Sequence, residues 1–229
     1  MNSLWRVPLM ARRSVSQSEN SSSILLRATI FYFCEMESIN ELKNEILHCT
    51  KCELSKTRNH VIFGEGNTNA DILIIGEAPG RDEDMQGRPF VGKSGQLLDK
   101  ILAACGFTRD EHVFISNIVK CRPPNNRIPT PQEASTCMPW LLKQIELINP
   151  KILILLGATA LKYMAGPEHR ITHERGNWIN WQNRLAMPVY HPAALLRDPS
   201  LKRNTWEDYK KIIFKYRELV NPNHYSAHV

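Results

Sequence analysis

Seven side chains carry most of the chemistry legible in this 229-residue sequence: the thiols of Cys49, Cys52, Cys121 and Cys137, and the polar groups of Glu77, Asn117 and His191. Cys49 and Cys52 form a C-x-x-C pair, with the other two thiols further along. Two close thiolates and two distant ones can close a tetrahedral site around zinc or hold an iron–sulfur cluster, and spacing does not choose between them. A redox C-x-x-C would open a helix after a strand, whereas this pair follows a predicted helix. Four unrelated buried thiols are the plain alternative. Cys34 and Cys105 read as structural; Cys105 closes a predicted helix, where the dipole disfavours a thiolate.

The elements that must position these groups follow from hydrophobic periodicity and caps. Ser38 and Glu41 form a capping box before Ile39, Leu42, Ile46 and Leu47, which recur at near-helical spacing. Asp71 to Ile75 reads as a short buried strand. Gln96 to Cys105 is an amphipathic helix closed by Gly106. Val113 to Ile115 is a second strand. Thr130 caps, and Pro131 opens, a helix running to about Asn149. Ile152 to Leu156 is a third strand, Gly157 to Ala160 turns into a helix, Leu185 to Val189 is a fourth strand, and Leu201 to Leu219 is a final helix. This alternation predicts a three-layer α/β/α sandwich with a mainly parallel, four-stranded sheet. In such sheets the ligand crevice lies outside the carboxyl ends of the strands. Glu77, Asn117 and His191 each fall just after a strand end, which makes that rim the expected active site.

Composition narrows the class. With 42% hydrophobic and 23% charged residues the chain suits a globular fold and not a disordered one. Its net charge of +6 favours a polyanionic partner. No run approaches the roughly 18 apolar residues that span a bilayer. Six unevenly spaced cysteines argue against a secreted disulfide scaffold and for a reducing, cytoplasmic compartment. Residues 1–36 are basic, Ser-rich and poor in acids, as in a transit peptide or a disordered extension. Met36 is the expected functional start, a domain is expected over 37–220, and 221–229 is expected as a tail. A monomer is expected.

Several segments together resemble one family. Gly76-Glu77-Ala78-Pro79-Gly80, Glu83-Asp84, Gly87-Arg88-Pro89-Phe90-Val91-Gly92 and Gly95 open the match. Ser116-Asn117, Lys120-Cys121-Arg122-Pro123-Pro124-Asn125-Asn126-Arg127 and His191-Pro192-Ala193-Ala194-Leu195-Leu196-Arg197 continue it. In this order they resemble the uracil-DNA glycosylases, and most of all family 4, the iron–sulfur type. The resemblance spans Glu37 to about Tyr216. It implies a DNA-repair enzyme that flips uracil out of DNA and cuts its N-glycosidic bond, and it turns the reading of the four cysteines toward ligands of a 4Fe–4S cluster.

The resemblance also implies roles. Phe90 stacks on the flipped base, and Ala78, Glu83 and Asn117 complete its pocket, Glu83 against a thymine methyl. The Asn117 amide offers the donor and acceptor that match the N3–H and O4 of uracil; cytosine presents the reverse pattern. His191 donates toward O2, where negative charge grows as the bond breaks. Glu77 positions water or stabilises the cationic sugar. Leu195 and Leu196 wedge into the base stack. Arg197, Lys202 and Arg203, with Lys120, Arg122 and Arg127, grip phosphates. Three other readings remain at this point. One is a relative trapped covalently on DNA through a loop His, which the segment from Asn126 to Pro131 lacks. Another is a non-catalytic, cluster-bearing DNA-binding module akin to a phage polymerase domain. The third is a zinc-bound nucleotide-binding protein, disfavoured because no phosphate-binding G-x-x-x-x-G-K-[ST] loop is present.

Overall fold

A computed structural model describes residues 38–229. The expected extension over residues 1–36, with Cys34 and the start at Met36, lies outside the described residues. In chain order the elements are α1 (Ile39–Leu47), β1 (Glu65–Gly66), β2 (Ile72–Gly76), α2 (Arg81–Gln86), α3 (Lys93–Ala104), β3 (Val113–Asn117), α4 (Pro131–Ile148), β4 (Ile152–Leu156), α5 (Gly157–Ala165), α6 (Ile171–Glu174), β5 (Ile179–Trp181), β6 (Arg184–Val189), α7 (Pro192–Arg197) and α8 (Leu201–Leu219).

The caps read from sequence are in place. Ser38 Oγ accepts from Glu41 N–H while Glu41 Oε2 accepts from Ser38 N–H, and Thr130 and Glu133 do the same at the head of α4. Asn149 ends α4 in the left-handed conformation, with φ 49°.

The sheet has six strands in the order β1-β3-β2-β4-β6-β5. Its four central strands run parallel and are the four expected ones. The four-stranded expectation is corrected at the edges, where β1 pairs antiparallel with β3 and β5 antiparallel with β6. At two and three residues these edge strands are too short to show an alternating pattern. Successive side chains of the central strands point to opposite faces. Leu73, Ile75, Leu153 and Leu155 pack with residues of α1, α4 and α5. Ile72, Ile74, Ile152 and Ile154 pack with Leu98 and Leu102 of α3 and Tyr209, Ile212 and Ile213 of α8. The result is the expected α/β/α sandwich.

The last nine residues do not behave as a free tail. His224 and Ser226 are buried, and they bond the carbonyls of Cys105 and Ala104 at 2.9 and 3.0 Å, satisfying acceptors that the end of α3 leaves open. His224 also stacks on Phe107, with ring centroids 4.6 Å apart. Ser38–Val229 is one compact unit, so the body extends past residue 220.

Candidate active site and cysteine pocket

The carboxyl ends of β2, β3, β4 and β6 open into a crevice of about 710 Å³. Glu77, Ala78, Glu83, Phe90, Asn117, Arg127, His191 and Arg197 all line it, so one rim collects most of the residues singled out in the sequence. The parallel register sets Gly76 of β2 beside Asn117 of β3. A Cβ on Gly76 would lie 2.4 Å from Asn117 Oδ1 and 2.6 Å from Phe90 Cζ. Only glycine lets the amide and the aromatic ring converge there. Asn117 is 2% exposed, and its Oδ1 is buried without a hydrogen-bond partner. An orphaned buried acceptor costs about 1–3 kcal/mol, which a ligand can recover.

His191 caps α7. Its Nδ1 accepts the Ala193 backbone N–H at 3.1 Å. A backbone N–H can only donate, so the ring proton of the neutral imidazole sits on Nε2. Burial pushes this histidine down to about 4, the positive charge of Arg197 adds to that, and Glu83 opposes it. Its ring centroid lies 5.8 Å from that of Phe90, with the planes tilted by 32°. The end of β4 comes close behind the imidazole: at Gly157, with φ +84°, a Cβ would fall 2.9 Å from His191 Cβ.

The two carboxylates of the crevice differ. Glu77 Oε2 accepts a short hydrogen bond from Thr159 Oγ1, a partner with no signal of its own in the sequence. Glu83 is held by three backbone donors. Its Oε1 accepts from Val91 and Gly92 at 2.8 and 2.9 Å, and its Oε2 from Gly80 at 3.0 Å. Oε1 thus ties the Phe90 loop to the head of α2, while Oε2 caps that helix at Gly80, and the side chain still lines the crevice.

The four cysteines line a second, smaller pocket with Ile46, Val61, Trp140 and Arg58. Cys49 and Cys52 follow α1, Cys121 follows β3, and Cys137 comes from the second turn of α4. Arg58 Nη1 donates to Cys121 Sγ at 3.2 Å, and the Lys120 backbone N–H donates to Cys137 Sγ at 3.3 Å. Burial pushes the Cys121 thiol up to about 11 against the pull of Arg58. Among the described residues, no three His, Cys, Asp or Glu side chains meet closely enough to grip a single ion.

The structure corrects part of the expected DNA-contacting set. Lys120 is 1% exposed. Its Nζ donates to Ser116 Oγ, Gln144 Oε1 and Asn117 O at 2.6, 2.7 and 2.8 Å, so it braces the end of β3 and cannot reach a phosphate. Leu195 is also 1% exposed and cannot wedge between bases, whereas Leu196, one residue further round α7, is 46% exposed. Arg127 spends its guanidinium on both oxygens of Glu133, at 2.8 and 2.7 Å. Arg122 Nε is bonded to Asn126 Oδ1 at 2.7 Å. Arg197, Lys202 and Arg203 are exposed.

A crevice at the carboxyl end of a parallel sheet, with a buried amide oxygen left unpartnered at its floor, is where a fold of this class binds a ligand. Residues 63–210 match the family model described as the uracil DNA glycosylase superfamily. A type-4 uracil-DNA glycosylase of Thermotoga maritima is 46% identical over 180 residues, covering 76% of this chain and 93% of that protein. Its counterpart from Sulfurisphaera tokodaii is 43% identical over 201 residues, covering 83% and 89%. That from Archaeoglobus fulgidus is 41% identical over 185 residues, covering 77% and 92%. The chain belongs to the type-4 uracil-DNA glycosylases.

Proposed function

We propose that the protein flips uracil out of DNA into this crevice and hydrolyses its N-glycosidic bond, releasing the base and leaving an abasic site, with Phe90, Asn117, His191 and Glu77 as the acting residues. The observation that carries the reading is the Asn117 amide, buried beside Phe90 with its oxygen unpartnered. Uracil supplies the missing partners: its N3–H reaches the amide oxygen while its O4 accepts from the amide nitrogen, and cytosine offers neither in that order. Phe90 presents a face for the ring, recovering part of the stacking lost on extrusion.

As the bond to the sugar breaks, charge collects on uracil O2. The Nε2–H of neutral His191 is the donor for it, kept in that tautomer by the Ala193 N–H on Nδ1. An uncharged donor gives up no proton to the leaving base. Glu77, oriented by Thr159, sits where a carboxylate can steady the cationic sugar or aim water at it. Leu196 is the apolar residue available to fill the vacated stack. Arg197 and Lys202 are the exposed cations next to it for phosphates; Arg122 and Arg127 serve first to shape their own loop.

Cys49, Cys52, Cys121 and Cys137 fit a 4Fe–4S cluster better than zinc. In a cluster each sulfur binds its own iron, so ligands spread around a pocket suit it, and the Arg58 and Lys120 N–H groups offset thiolate charge. When bound, such a group supplies cross-links between the end of α1, the end of β3 and α4, and no electrons to a hydrolysis. Among the described residues no helix is long and apolar enough to cross a membrane.

The test is uracil release from an oligonucleotide carrying one uracil, beside thymine and cytosine controls. Release confined to uracil, reduced about 100- to 1000-fold in His191→Ala, is expected. DNA binding without base release would favour the non-catalytic module instead.

A further inference from the structure

Phe90 is the one residue of the proposed base pocket whose backbone sits where side chains rarely go. Its φ is 52°, in the left-handed region, and it is neither glycine nor asparagine. Something outside the loop must hold it there. The first turn of α3 presses on it: a Cβ at Gly95 would lie 1.8 Å from Phe90 O. The carbonyls of Pro89 and Phe90 are then taken up by one side chain. Arg109 Nη1 donates to Pro89 O at 2.9 Å and Nη2 to Phe90 O at 2.6 Å. The same guanidinium is aimed from behind, since Nε donates to Asp99 Oδ1 of α3 at 2.8 Å and Nη1 faces Glu65 Oε1 of β1 at 3.5 Å. Its side chain is 14% exposed. Arg109 sits in the loop before β3, 19 residues from Phe90, and does not itself line the crevice.

We infer that Arg109 is the positioning residue for base stacking: it holds the Pro89–Phe90 peptide in its left-handed turn and so sets the plane of the Phe90 ring against the flipped base. Glu83 does the matching work on the far side of the loop, binding the N–H groups of Val91 and Gly92 as Arg109 binds the two preceding carbonyls. Only a planar fork of five donors can serve two successive carbonyls and a carboxylate at once. Lysine keeps the charge and loses the geometry, so a change conservative in charge is not conservative here. The inference rests on the proposed role of Phe90 and adds to it a residue outside the pocket.

A double-mutant cycle tests it on the full chain. Arg109→Lys and Arg109→Gln are made with Phe90 intact and in the Phe90→Ala background. Inhibition by free uracil, single-turnover uracil release and binding to abasic DNA are read for each, with the melting midpoint alongside. With Phe90 present, Arg109→Lys weakens inhibition by uracil about ten-fold, the scale on which base–aromatic stacking acts, and leaves abasic-DNA binding unchanged. In the Phe90→Ala background the same change has less than about a two-fold effect, because the ring it positions is gone. Equal losses in both backgrounds, or undiminished uracil affinity in Arg109→Lys, overturn the inference. Should both Arg109 variants fail to fold, Asp99→Asn, which removes only the carboxylate aiming the guanidinium, runs through the same cycle with a smaller loss in the same direction expected. Failure of the glycosylase reading itself looks different: the unaltered protein then releases no uracil.

Discussion

Acidifying the enzyme should leave His191 uncharged far below the pH at which a free imidazole takes up its proton. The ordinary value is 6.5, and burial with the charge of Arg197 brings it to about 4. That difference corresponds to about 3 kcal/mol against the charged ring, and because pH 7 lies well above about 4, only about one molecule in a thousand carries the charge there. Charging also requires Nδ1 to give up the Ala193 N–H, which would unmake the cap of α7. Because the folded value lies below the unfolded one, the unfolded chain binds this proton more readily between about 6.5 and 4. The contribution to stability is complete above about 6.5 and is lost as the pH falls toward 4. Heteronuclear NMR of the histidine rings, with His191→Gln to assign the signal, follows the titration directly. A midpoint near 4 and a proton on Nε2 at pH 7 are expected, with no loss of single-turnover rate from this group between pH 8 and 5. A midpoint near 6.5, or a ring protonated on Nδ1, would refute the neutral-donor mechanism.

Four further outcomes follow from the geometry. Asn117→Asp replaces the amide donor with a carboxyl, so uracil release should fall at least about a hundred-fold and the ratio of uracil to cytosine release should drop, as read on matched oligonucleotides. Gly76→Ala puts a methyl where the amide and ring meet; a loss of about a hundred-fold in release with an unchanged fold by circular dichroism is expected. Lys120→Met should lower stability by about 1–3 kcal/mol in urea unfolding, since it strands buried acceptors, while leaving the salt dependence of DNA binding intact. Lys202→Ala should do the opposite, reducing the salt slope by about one without destabilising the fold.

The central architecture was legible because long elements advertise themselves. The capping box at Ser38, the Thr130 cap, the glycine stop at Gly106 and four apolar strands all read directly from local chemistry. The edge strands were too short for a period, and the last nine residues looked polar although His224 packs among Phe107, His112 and Tyr216. In the site, residue types with a chemical signature were found and residue orientation was not. Leu195 and Leu196 look alike in sequence, yet their neighbouring helical positions turn one inward and one to solvent. Lys120 reads as a surface cation until three acceptors from β3 and α4 are seen to enclose it. Arg109 bonds Phe90 from 19 positions away and Thr159 bonds Glu77 from 82, distances at which local sequence carries no signal.

A crystal structure of the wild-type protein with uracil bound tests the central claim most directly. The base should lie against Phe90, its N3–H and O4 edge on the Asn117 amide, with O2 toward His191 Nε2. Uracil found outside the crevice, or seated with O2 rather than O4 on Asn117, would contradict it.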